Sequence, residues 1–109
     1  MKIPLFNFQT LAWDSVPKEE KTAVEGKVFW RTMHVGDIRV RMVDYSPGYR
    51  ADHWCSKGHI ILVVEGELDT ELKDGRVYRT AAGMCYFVGD NSEAHRSSSR
   101  EGCKLFIVD

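Results

Sequence analysis

The sequence predicts an all-β fold of the sandwich or barrel type. Apolar residues recur at period two, the alternating runs are short and end in Gly, Pro, Asn or Asp, and no helix-length window is amphipathic. A chain of 109 residues fits one domain. Residues 27–109 read as the barrel, and residues 1–26 as an arm that packs on it or on a partner subunit.

The elements follow in order. Ile3, Leu5, Phe6, Phe8, Leu11 and Trp13 make the arm apolar. It either covers the barrel's open edge or docks on a second copy, the two-fold dimer being the commonest oligomer. Only 13–25 has room for a helical turn, and Pro17 limits it. Residues 28–35 alternate and end at Gly36-Asp37. Residues 38–45 alternate cleanly, Ile38, Val40 and Met42 against Arg39 and Arg41. Ser46-Pro47-Gly48 is a turn, since Pro presets one dihedral and Gly accepts positive φ. A short strand is expected at 51–55, then a turn at Ser56-Lys57-Gly58, then the apolar strand 59–65. Gly66 marks a bend before strand 67–73, and Asp74-Gly75 signals a hairpin. Strands at 76–80, 84–88, 94–99 and 104–108 complete the series.

Hydrophobic residues make up 43% of the chain, charged residues 28%, and the net charge is -1. Basic residues are spread rather than clustered, which argues against nucleic acid as a partner. The longest apolar run, Ile60-Ile61-Leu62-Val63-Val64, suits a buried strand and is too short for a membrane span. No secretory pattern stands out, so a cytoplasmic protein is expected. Three widely spaced cysteines speak against a disulfide framework. Cys85 and Cys103 read as small buried hydrophobes.

Cys55 differs because of its neighbours. On a strand His53 and Cys55 would share a face. The tight turn that follows would return His59 beside them, and His95 would join through the fold. Imidazole and thiolate suit zinc, iron, nickel, cobalt or copper far better than magnesium or calcium. The bland alternative for any one histidine is a surface or hydrogen-bonded residue, and His34 beside its turn is read that way.

The stretch from Pro47-Gly48 through His53, Cys55 and His59 to Gly66 resembles the first motif of the cupins. Gly83 to His95, with Gly89-Asp90-Asn91 between, resembles the second. Asp52-His53-Trp54-Cys55 with Ser56-Lys57-Gly58-His59 resembles more narrowly the DHCW-motif cupin-fold proteins. That resemblance runs through Phe29-Trp30-Arg31-Thr32 to the closing Lys104-Leu105-Phe106-Ile107-Val108-Asp109. Cys55 stands where the general motif has its second histidine, and His59 where it has glutamate. The second motif lacks its proline, which is Gly89 here, and carries one extra residue. The resemblance implies a jelly-roll barrel (a double-stranded β-helix). It also implies one divalent transition-metal ion at His53, Cys55, His59 and His95, with zinc first and iron, nickel, cobalt or manganese as alternatives.

Four ligands would close a tetrahedral site of the structural zinc kind, whereas three histidines without Cys55 would leave an open one. Ser97 and Ser99 share the face of His95 and are expected to line the interior. Tyr86 and Phe106 are candidates for an apolar wall, with plain core packing as the alternative. Arg41 is either solvent-exposed or, if its face points inward, a clamp for a carboxylate. The expected partners are a small-molecule ligand and a second copy of the chain. A metal-dependent enzyme acting on a small polar metabolite leads, against a non-catalytic binding or sensing module.

Overall fold

Period-two patterning becomes strand wherever both neighbours supply a ladder of hydrogen bonds. The computed structural model describes residues 2–109. Among the described residues a single 3-10 turn, Trp13–Ser15, precedes nine strands: β1 (Glu19–Lys21), β2 (Val28–Val35), β3 (Ile38–Tyr45), β4 (Tyr49–Arg50), β5 (His59–Leu72), β6 (Val77–Ala81), β7 (Cys85–Val88), β8 (His95–Ser99) and β9 (Cys103–Val108). All pairings are antiparallel, in the order β1-β2-β3-β9-β5-β8-β4, with β6 and β7 also paired to β5.

The long strand β5 joins two sheets. Its first half pairs with β9 and β7, and its second half with β6 and β8. The change occurs at an irregularity between Val63 and Glu65, followed by Gly66 at φ 79°. A side chain at Gly66 would collide with the Gly102 carbonyl oxygen, so the bend between the sheets needs glycine. The predicted strands on either side of Gly66 are thus one bent strand that curls the sheet into a half-barrel.

The core fills the concave side with Val28, Val43, Tyr49, Ile61, Val63, Leu68, Cys103, Leu105 and Ile107. Rows of paired residues cross this surface. Arg41 lies opposite Ile107, Ile107 opposite Ile61, and Ile61 opposite Tyr86. On the convex side Met42, Phe106, Leu62 and Cys85 form the matching row. Parity therefore puts Ile38, Val40 and Met42 outside and the arginines inside. Cys85, expected to be buried, is exposed on the convex face, while Cys103 is buried as expected.

Two stretches depart from the sequence reading. Residues 51–55 are not a strand. Strand pairing ends at Arg50, with isolated backbone bonds to β8 at Ala51 and Cys55, and Asp52 accepts from Thr22 Oγ1 at 2.7 Å and lies 2.6 Å from His53 Nδ1. Strand β1, pairing with β2, lies where only a helical turn was expected. Within the arm Leu5 and Phe8 are almost fully exposed, whereas Trp13 packs edge-on against Phe106 with centroids 6.4 Å apart. Arg31 Nη1 holds the arm there by donating to the Trp13 and Val16 carbonyls.

Candidate functional site

The concave face opens onto a cavity of about 840 Å³, lined among others by Trp30, Arg39, Arg41, His53, Cys55, His59, Tyr86, His95 and Ser97. That volume suits one small molecule. Within it one atom each of Cys55, His59 and His95 lie inside 4.8 Å of one another. Each comes from a different element. His59 opens β5, His95 opens β8, and Cys55 is bridged to His95 by backbone bonds of 2.7 and 2.9 Å. The loop before His59 is clamped: Gly58 N donates to Asp90 Oδ1 at 2.7 Å, and Asn91 N to the Ser56 carbonyl at 2.8 Å.

The outer nitrogen of each imidazole is committed. His59 Nδ1 lies 2.7 Å from Asp109 Oδ2, and His95 Nδ1 lies 2.9 Å from the Glu93 carbonyl. Both partners accept, so both Nδ1 atoms carry the hydrogen and both Nε2 lone pairs face inward. His59 Nε2 lies 3.5 Å from Cys55 Sγ. His95 Nε2 is buried with no hydrogen-bond partner, in a residue only 2% exposed. Burial pulls the His95 pKa down, His59 alongside adds to this, and the Glu93 carbonyl opposes it. A buried, unpartnered imidazole nitrogen of His95 clustered with His59 and the Cys55 thiol fits a metal ion. The bonds at Nδ1 are the usual outer support of histidine ligands. Two nitrogens and one sulfur suit zinc, cobalt, nickel or iron and not magnesium or calcium.

His53 is not part of this cluster. It lines the cavity rim, its side chain is 73% exposed, and its Nδ1 is held by Asp52. The expectation that it shares a face with Cys55 depended on a strand that is absent. Tyr86 stands edge-on to His95, with centroids 6.3 Å apart, and Ser97 lines the same cavity. Ser99 is buried deeper, donating to the Glu67 carbonyl at 2.7 Å. Phe106 points the other way, against Trp13, because the inward parity of β9 belongs to Cys103, Leu105 and Ile107.

Arg41 is only 4% exposed, which overturns solvent exposure as its default. Its Nη2 donates to Asp109 Oδ2 at 2.7 Å, and its guanidinium stacks 4.2 Å over Trp30. Arg39 grips the same carboxylate through Nε at 2.9 Å and Nη2 at 3.2 Å. Burial opposes the charge on Asp109, but the bonds from His59 and Arg39 and the charges of Arg41 and Arg39 outweigh it. They hold the carboxyl well below the usual range. Sequence reasoning missed Asp109, although the inward alternation Cys103, Leu105, Ile107 extends to it. Its backbone pairs with that of Arg39 by bonds of 2.7 and 2.9 Å, continuing the ladder of β9.

No protein-family model and no curated protein matches the chain. Solved structures do, at the level of fold. An RmlC-like cupin from Shewanella frigidimarina superposes with a TM-score of 0.73 at 17% identity, over 94% of this chain and 89% of that one. Ectoine synthase from P. lautus gives 0.75 at 16% identity, over 93% and 76%. Fe(II)-HppE with an alternative substrate gives 0.75 at 15% identity, over 94% and 60%. The fold is therefore the cupin jelly roll. None of the described helices is long and apolar enough to cross a membrane.

Proposed function

We propose that this chain is a metal-dependent enzyme acting on a small polar molecule held in its cavity. The observation that carries this is the buried, unpartnered Nε2 of His95, facing His59 and Cys55 at the wall of a cavity. Cys55, His59 and His95 would hold the ion, zinc first, and His53 at the rim leaves the cavity side open. A bound ion would supply Lewis-acid activation. The chain's own groups do the rest. Asp109 fixes the tautomer and ring plane of His59, and the Glu93 carbonyl does so for His95. The Ile107, Ile61 and Tyr86 wall limits water on the inner side. Burial, the largest influence, raises the Tyr86 hydroxyl pKa, so the hydroxyl stays protonated and is able to donate a hydrogen bond into the cavity.

Iron in Fe(II)-HppE supports metal use on this fold, but a thiolate beside iron and oxygen is open to oxidation, which favours zinc in this chain. A closed structural site of three histidines and one cysteine fits less well, because His53 is bonded away from the cluster. Cobalt-substituted protein titrated with azide separates the two. An open site gives a saturable change in the visible spectrum, and an unchanged spectrum would make the site structural.

We place the protein in the cytoplasm, where the free thiols Cys55, Cys85 and Cys103 stay reduced. We also place it in a homodimer. Leu5 and Phe8 on the arm and Ile60 and Phe87 on the convex sheet are exposed, so one chain offers both halves of an apolar contact. Sedimentation equilibrium is expected to give the dimer mass, and a monomer at all concentrations would refute this.

A further inference from the structure

The inner wall beside the proposed metal cluster carries more positive than negative charge. Two guanidiniums, Arg39 and Arg41, converge on one side-chain carboxylate, Asp109, and the third group on that carboxylate is the imidazole of His59. Arg39 spends two of its nitrogens on Asp109. Arg41 spends only Nη2, and its Nε is buried without a partner while the side chain, 5% exposed, lines the cavity. A buried guanidinium donor left unpaired is costly, so its retention calls for an acceptor.

Glu20 also lines this wall, and most of the wall's other charged groups are engaged elsewhere. Lys21 pairs with Glu19, Arg96 with Glu71, and Asp52 with Thr22 and His53. The ring of Trp30 lies under the Arg41 guanidinium and fixes its plane, while Arg39 and Lys21 approach the same ring at 5.2 and 5.1 Å. A planar donor with its face covered presents its edge, which is the geometry a carboxylate accepts.

We propose that Arg41 is the substrate-recognition residue and that the molecule the cavity takes is a small carboxylate. The inference rests on the cavity being the substrate site, and it deepens that proposal by naming the substrate class. The planar edge of the guanidinium beside Asp109, its face covered by Trp30, matches the two coplanar oxygens of a carboxylate. Asp109 Oδ2 touches both Arg41 Nη2 and His59 Nδ1, so a carboxylate held by Arg41 lies beside the metal cluster.

The test is a titration of the full chain, metal-free and zinc-loaded, with glycolate, acetate, inorganic phosphate and neutral acetamide. It is followed by NMR of the arginine Nε–H resonances and by calorimetry. Glycolate and acetate are expected to move one Nε–H resonance saturably in both forms, acetamide to leave it unmoved, and phosphate to bind more weakly. Arg41→Lys should remove that resonance and weaken glycolate binding about tenfold or more, with zinc stoichiometry unchanged. If that variant fails to fold, the acetamide control on the wild-type chain decides. Protein that holds zinc but shows no shift with glycolate or acetate overturns the carboxylate assignment and leaves the metal proposal standing. Saturable shifts in protein that takes up no zinc do the reverse. Tighter binding of phosphate than of any carboxylate also overturns the assignment.

Discussion

One oxygen of Asp109 accepts from three side chains: Arg39 Nη2 at 3.2 Å, Arg41 Nη2 at 2.7 Å and His59 Nδ1 at 2.7 Å. That convergence does two jobs in one residue. It holds two arginines inside a barrel, where an unpaired charge would cost several kcal/mol, and it fixes the imidazole that presents Nε2 to Cys55. Replacing Asp109 by Asn keeps the shape but removes the charge that binds the arginines and polarises His59. Zinc affinity is predicted to fall roughly 10–100-fold, the usual penalty for losing such outer support. Chelator competition measures this, and an affinity equal to that of the wild-type chain would mean that Asp109 serves the arginines alone.

At the level of elements the decisive piece is β5, whose first half carries His59 and Ile61 and whose second half reaches β8 and so His95. Gly66 is the bend between them. Gly66→Ala is predicted to destabilise by more than about 1 kcal/mol, since it combines positive φ with a collision against the Gly102 carbonyl. A denaturant midpoint equal to wild type would show that the bend has slack. Strands β2 and β3 were legible because their alternation is unbroken and the Gly36-Asp37 turn fixes their register. Alternation does not say which face points inward. On β3 the inner face carries Val43 into the core, but its first half, Arg39 and Arg41, meets the polar cavity instead, so Ile38, Val40 and Met42 lie on the other face. That is why Arg41 was read as exposed by default and Phe106 as a wall residue. His53 was misplaced for a different reason, the local capture of its ring by Asp52, which strand periodicity does not encode. The structure brings one ligand atom each of Cys55, His59 and His95 within 4.8 Å of one another; residue type and turn spacing pointed to the first two, whereas His95 joins them only through the fold.

Across the whole molecule, burial keeps the interior phenols and the Cys103 thiol protonated. Burial pushes the Cys103 thiol up to about 11 and the Tyr49 hydroxyl up to about 12, and raises Tyr45 and Tyr86 as well. These folded-state values lie above those of the unfolded chain. The stability they contribute is complete below pH 9.0, the ordinary thiol value, and is lost as pH rises through 11 to 12. Denaturant unfolding is therefore predicted to give a lower free energy at about pH 10.5 than at about pH 8, and a flat profile would contradict the burial of these groups. In the proposed site Cys55, His59 and His95 would hold one ion, and His53 would stay off it. Elemental analysis of untagged protein after zinc reconstitution tests this most directly, run beside Cys55→Ser, His95→Ala and His53→Ala. Near-stoichiometric zinc is expected in the wild-type chain and in His53→Ala, with loss in Cys55→Ser and in His95→Ala. Zinc lost in His53→Ala as in the other two would contradict the three-ligand site, and no zinc in any sample would contradict the metal proposal itself.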